Sequence, residues 1–392
     1  MTRTLEAQKD HERSAVTGHP ADEPMPTPTP VIARPARALY LDAFRGFTVA
    51  GMLLVNNASF SAGVPAQLVH APWNQGVTFA DMIFPWFLMA MGMAIPFSQA
   101  SERARGTPRL RLVWRSVRRA LVLLALGWLV DSAVAGHIVI GLGVLQLLGL
   151  TYLAAVALAG LPARARLVIA FVLLGAHWAA IRFLPVPEIG AGGFEEGRNL
   201  IQYLNQTYLA RYHISGLISV VPTSALVLIA TALTDVLRRM DLRLWRRFAT
   251  MLLAGVGLTA GGWLLNLDLP FNKPVWTASY ILLSAGLGTI IVAGFYLVFE
   301  LAGWRWMALP LLVFGANPIV AYVAPILVKV MVLKHWTHIV AGRAVTLERA
   351  AQLWLGQVVG SAGAGTAYTV LYIGFWWLLC AYLYRRRIFV RI

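Results

Sequence analysis

The sequence predicts an all-α polytopic membrane protein, a bundle of about ten transmembrane helices. Three observations carry that reading. Hydrophobic residues make up 58% of the 392-residue chain and charged residues only 13%, against roughly 45–50% and about 25% in soluble domains. Apolar runs recur from Phe44 onward at about 20 residues each, the length a helix needs to cross the hydrocarbon. The runs are continuous rather than alternating, and backbone groups in lipid must pair within their own segment, so helices are expected and a barrel is not. Finally, basic residues collect in short stretches between the runs, the pattern that membrane topology produces.

The net charge of +16 would suggest nucleic acid on a soluble protein. Here the interrupted distribution of Lys and Arg explains it, and no nucleic-acid partner is expected. The one cysteine, Cys380, lies inside the last apolar run. An intramolecular disulfide is therefore impossible, a cysteine-built metal site is excluded, and no metal is expected.

Residues 1–36 are polar and Pro-rich, as at Pro26-Thr27-Pro28-Thr29-Pro30. They read as a disordered cytoplasmic tail rather than a cleaved signal, because no apolar core precedes the first span. Residues 37–392 read as one transmembrane domain. Spans are expected from Phe44 to between Asn56 and Phe60, then at about 78–98, 120–135, 138–160, 167–184, 215–236, 248–266, 277–301, 307–333 and 363–384. A dense basic loop from Arg103 to Arg119 follows the second span. The longest non-apolar interval is Pro185 to Tyr212, and a further helical segment is expected near 347–360.

Ten spans give loops that alternate sides, so the basic residues test the map. Of the 33 Lys and Arg, 25 fall on the side of the termini and 8 on the other. This asymmetry predicts a multi-pass protein of a bacterial-type inner membrane with both termini cytoplasmic. His70, the Pro185–Tyr212 interval and Asn272-Lys273 then share the outer side. No internal repeat argues for an inverted-repeat transporter.

Chemistry is expected at Val69–Phe87, where His70, Trp73, Asn74 and Asp81 stand before Phe84-Pro85-Trp86-Phe87. A neutral imidazole near pH 7 takes a proton from an attacking hydroxyl or amine, or carries an acyl group as a nucleophile. A solvated loop histidine is the plainer alternative. Asp81 lies at the start of a span, where an ionisable group is costly and faces protein or a cavity. It orients His70 as a carboxylate orients a base, or it only complements the helix dipole. Asn56 closes the first span as an oxyanion donor or as a cap. Asp42 and Arg45, three apart, form a structural ion pair or help hold an anionic ligand. Asn317-Pro318 breaks a helix hydrogen bond and either kinks the ninth span or lines a tunnel. Trp276, with Ser279 and Tyr280, has an aromatic-belt position as its default.

The blocks Leu41-Asp42-Ala43-Phe44-Arg45-Gly46, Met52–Asn56, His70-Ala71-Pro72-Trp73-Asn74, Ala80-Asp81 and Phe84-Pro85-Trp86-Phe87 resemble the catalytic region of the heparan-α-glucosaminide N-acetyltransferase family and its bacterial relatives. The resemblance continues in order through Gly143–Gln146, Asn272-Lys273, Trp276, Gly315–Asn317 and Leu383–Phe389. It implies a transmembrane acyltransferase that takes acetyl-CoA from the cytoplasm and acetylates an amino sugar, or another saccharide amine or hydroxyl, on the far side. It implies His70 as the active-site histidine and Asn56 as its supporting asparagine; the placing of Asp81 adds it to the catalytic residues, as the group that orients His70. Substrate contacts would come from Asp42, Arg45, Trp73, Asn74, Asn272, Lys273, Trp276 and Asn317. Two departures stand out: the family often has Gln-Arg at Gln146-Leu147, and Asp-Pro-Glu-Gly where this chain has Ile214-Ser215-Gly216-Leu217.

The expected partners are therefore acetyl-CoA, a saccharide acceptor and the lipid bilayer, with a homodimer left open. Two other classes compete with the enzyme. One is an inner-membrane sugar permease or uptake accessory without covalent chemistry, and the other is a purely structural membrane partner.

Overall fold

A computed structural model describes residues 38–58, 63–239, 241–340 and 342–390. The expected tail at 1–36 lies outside the described residues, as does the stretch just past Ala58 where the first span was expected to end. The described chain is built from helices joined by short loops and three two-stranded hairpins.

In chain order the helices of eight or more residues are α1 (Leu39–Asn57), α2 (Phe79–Ala104), α3 (Arg109–Ala135), α4 (Val144–Leu158), α5 (Ala163–Phe183) and α6 (Val220–Arg238). Then come α7 (Leu244–Asn266), α8 (Ala278–Tyr296, continued by a wider turn to Leu301), α9 (Leu309–Ala316), α10 (Pro318–Val328), α11 (Leu347–Val359) and α12 (Ser361–Arg385). Each expected span thus contains helix. Six helices, or seven counting the bent α9–α10 pair, are long and apolar enough to cross a bilayer. The remainder fall short for separate reasons. Polar Asp42, Arg45, Asn56 and Asn57 punctuate α1, arginines crowd the first turns of α3, and α4 has only 15 residues.

Three local outcomes differ from the sequence reading. Most of the basic loop is helix: the turn ends at Pro108, and Arg109, Arg111, Arg115, Arg118 and Arg119 stand on α3. Arg and Leu are good helix formers and nothing after Pro108 interrupts them. The fourth span starts later than expected, at Val144, because the chain bends at Gly141 and stays extended at Gly143. The ninth span is broken, with α9 and α10 bent by 62° at Asn317. Pro318 lacks the N–H that would continue the ladder, and Asn317 has left helical geometry at φ −129°.

Burial separates the helices into a centre and a rim. In α2 and α6, 83% and 78% of the apolar window is buried, against 17% in α7 and 28% in both α5 and α12. The rim helices turn large apolar side chains outward, such as Leu253, Trp263 and Leu264 of α7 and Val370, Leu371 and Phe375 of α12. An apolar face of this size without a protein partner suits lipid, and the chain is a membrane protein. At the centre, α2 packs on α1 and α6, and α8 packs on α7. Close approach is built in: a Cβ at Gly46 of α1 would meet the backbone of Leu311 at 1.8 Å. The end of the bundle that carries the His70 loop also carries the α7–α8 loop, and these two loops make the site.

Candidate active site

Asp81 is positioned first, by its own helix. It is the third residue after Thr78, the N-cap of α2, and the two form a reciprocal capping box. Its Oδ2 accepts the backbone N–H groups of Thr78 and Ala71, each at 3.1 Å. The Ala71 bond pins the preceding loop, and with it His70. His70 Nδ1 lies 2.8 Å from Asp81 Oδ1. From behind, the Tyr280 hydroxyl of α8 donates to the Asp81 carbonyl at 2.6 Å.

A carboxylate only accepts, so the short contact assigns the imidazole proton to Nδ1. In the neutral ring Nε2 then carries the lone pair. The His70 side chain is 60% exposed while that of Asp81 is 3% exposed. An accessible base is thus held by a buried carboxylate, the arrangement of a base and its orienting acid.

Lys273 completes the cluster from the α7–α8 loop. Its Nζ lies 3.5 Å from Asp81 Oδ1 and 3.1 Å and 3.4 Å from the two His70 ring nitrogens. Burial lowers the Lys273 pKa below its ordinary value, and the Asp81 carboxylate partly opposes that shift. The loop is held by Asn272, whose Nδ2 donates to Asn74 Oδ1 at 3.0 Å and whose Oδ1 accepts from the Val275 N–H. Asn74 and Trp276 sit in left-handed backbone at φ +57° and +55°, and asparagine tolerates that region better than most residues. Trp73 Nε1 and Asn74 Nδ2 both donate to the Phe194 carbonyl, so the Pro185–Tyr212 interval closes over the loop.

His70, Asp81, Lys273 and Trp276 line one cavity of about 420 Å³, with Phe84 and Leu147 on its apolar side. Trp73, Asn74 and Asn272 brace this cavity through the bonds above. Trp276, Ser279 and Tyr280 do not form an aromatic belt: all three are buried in the bundle. The polar ends of Ser279 and Tyr280 find internal partners, Leu269 and Asp81 carbonyls, which removes the reason to seek the interface.

The other sequence candidates lie elsewhere. Asn56 lines a neighbouring cavity of about 490 Å³ with Asp131, Tyr322 and Lys329, and its carbonyl accepts from Lys329 Nζ. The two cavities share a wall, since a Cβ at Gly143 would meet Asp131 Oδ2 at 2.5 Å. Asp42 and Arg45 pair at 3.3 Å near the opposite end of α1, where Arg45 also reaches the Gly315 carbonyl. Asn317 is fully buried, and its amide binds the C-terminal segment at Ile388 O and Val390 N.

Sequence reasoning missed Asp131, and it named Gln146 only within the family resemblance. Asp131 stands near the end of α3 and accepts from Gln146 Nε2 at 2.8 Å. The available signal was a lone carboxylate in an apolar run, which is costly unless it faces protein or a cavity.

Comparison with known proteins bears on the first half of the chain. Residues 37–198 match the family model described as heparan-alpha-glucosaminide N-acetyltransferase, catalytic. The chain is 35% identical over 126 residues to the Homo sapiens heparan-alpha-glucosaminide N-acetyltransferase, and 35% identical over 118 residues to the Mus musculus protein of that name. Those stretches are 31% and 29% of this chain but only 18% and 17% of the relatives' own lengths. His70 and Asp81 fall inside the matched region, and Lys273 falls outside it. The resemblance read from the His70-to-Phe87 block is therefore shown, and over residues 37–198 this chain is similar to the catalytic region of the heparan-alpha-glucosaminide N-acetyltransferase family.

Proposed function

We propose that this chain is an acetyl-CoA-dependent membrane acyltransferase. It moves an acetyl group from cytoplasmic acetyl-CoA to a saccharide amine or hydroxyl on the periplasmic side of an inner membrane. The observation that carries the reading is the exposed His70 imidazole held at 2.8 Å by the buried Asp81 carboxylate, inside the region similar to the acetyltransferases.

In this reading the acceptor's nitrogen or oxygen attacks the thioester carbonyl. His70 Nε2 takes its proton, the carbon–sulfur bond breaks, and the CoA sulfur leaves and is protonated. Asp81 keeps the proton on Nδ1 and stabilises the imidazolium that forms. Lys273, beside both groups, supplies a donor for the oxygen of the tetrahedral intermediate. Asn56, in the adjoining cavity, is proposed to act on the same oxyanion once substrate is seated.

The donor needs a polar end for its phosphates and an apolar path for its arm. Arg115 and Arg119 border a cavity between α2, α3 and α4 near the arginine-rich end, lined also by Met91 and Tyr152. Guanidinium groups suit phosphate. Met91 and Phe84, one on each cavity, are seven residues apart on α2, about 10 Å along the axis.

The test is acetyl transfer by purified protein from labelled acetyl-CoA to glucosamine. Transfer is expected in wild type and should fall about 10²–10⁴-fold in His70→Ala, with CoA binding retained. Omitting the acceptor separates two routes, because a histidine acyl carrier retains label and releases CoA, whereas a base does neither. Absence of transfer together with absence of CoA binding by folded protein would sink the reading in favour of a permease.

A further inference from the structure

A second basic cavity lies beyond the one assigned to the donor. It has a volume of about 580 Å³, sits between α2, α5 and α6, and is bordered by Arg103, Arg166, Arg238 and Asp235. Three guanidinium groups face one carboxylate. Asp235 is engaged by Arg166 Nη2 and lies 4.0 Å from Arg238 Nη1, so its charge offsets one of the three.

Arg166 is 2% exposed. Its Nε donates to the Leu161 carbonyl and its Nη2 to Asp235, but its Nη1 is buried without a hydrogen-bond partner among the described residues. An unpaired donor on a buried cation is costly, and such a group calls for an acceptor. The same cavity is lined by Gly160, Leu161 and Pro162, which lead into the N-terminus of α5. That terminus has no side-chain cap, and its first intrahelical bond is Arg166 N–H to Pro162 O. The preceding N–H groups of α5 carry the positive end of the helix dipole. Arg238 is held in place by the Pro96 carbonyl and by the Phe97 ring, while Arg103 forms no ion pair among the described residues.

We propose that this cavity binds a phosphate monoester dianion, held by Arg103, Arg166 and Arg238 beside the segment that leads into α5. A surplus of two positive charges matches a dianion, and forked guanidinium donors match its oxygens. The group has two sources, a terminal phosphate on a soluble ligand such as CoA or the monoester headgroup of phosphatidic acid. The site does not depend on the acetyl-transfer reading, because His70 lies at the other end of α2.

The experiment titrates the intact protein with inorganic phosphate at fixed ionic strength, using chloride as the reference, and reads the thermal midpoint. A saturable rise is expected. Arg103→Gln and Arg238→Gln should each raise the half-saturating concentration on the order of tenfold, the loss of one charge-assisted bond. Arg166→Gln strips Asp235 of its partner, so the two milder variants carry the test, with wild-type-like unfolding in chloride as their control for folding. Two arms identify the source. Sensitivity to Arg103→Gln with CoA but not with its 3′-dephospho form assigns a soluble ligand. Sensitivity in nanodiscs of phosphatidic acid, compared with phosphatidylcholine, assigns a lipid. If phosphate shifts the midpoint no further than chloride, or if both variants respond like wild type, the proposal is overturned.

Discussion

His70 Nδ1 and Asp81 Oδ1 are 2.8 Å apart although eleven residues separate them. The same carboxylate caps α2 through its other oxygen. One side chain therefore does two jobs. It starts the helix, and it sets the tautomer of the imidazole beside it.

That double role predicts a separation of effects at Asp81. Asp81→Asn keeps an oxygen to cap α2 but offers His70 no carboxylate. Thermal stability should fall modestly, by about 1–2 kcal/mol, and transfer activity should fall much further. Asp81→Ala should lose both. Thermal unfolding and transfer rate measured on the same preparations check this, and parallel losses in Asp81→Asn would mean that the residue only builds the helix.

Lys273 makes a pH prediction. Burial lowers its folded pKa below the ordinary 10.5. Between the folded and unfolded values the unfolded chain holds more protons, so stability rises with pH through the window just below 10.5. Below that window the buried charge costs its full amount. Lys273→Met should remove this component, so the wild-type midpoint should gain on the variant as pH rises through the window just below 10.5. Parallel profiles would show that the ammonium is solvated.

Asn317 holds the end of the chain. Its amide donates to the Ile388 carbonyl at 2.9 Å and accepts from the Val390 N–H at 2.8 Å. Asn317→Ala should free this segment and leave two backbone groups unpaired, at about 1–3 kcal/mol. Trypsin cleavage after Arg385–Arg387 should then be faster than in wild type. An unchanged rate would mean that the contact does not restrain the segment.

The charge asymmetry predicts topology. Reporter fusions after Pro65 and after Asn199 should read outside, and fusions after Thr107 and after Arg243 inside. Reversed signals at the two outer sites would put the His70 cavity on the cytoplasmic face.

Composition and run length alone determined that the chain is helical and membrane-embedded, because hydrocarbon imposes continuous apolar segments. They also located helix ends that carry local chemistry, such as Thr78 before α2 with Asp81 in its first turn, and the break at Asn317-Pro318. What they could not decide was which distant residues meet. Lys273 reaches His70 across 203 positions, and no periodicity encodes that approach. It follows from α8 packing beside α2, with Tyr280 bonded to the Asp81 carbonyl. Packing also divided residues that the sequence grouped together, leaving Asn56 in a neighbouring cavity and Asp42 and Arg45 at the far end of α1.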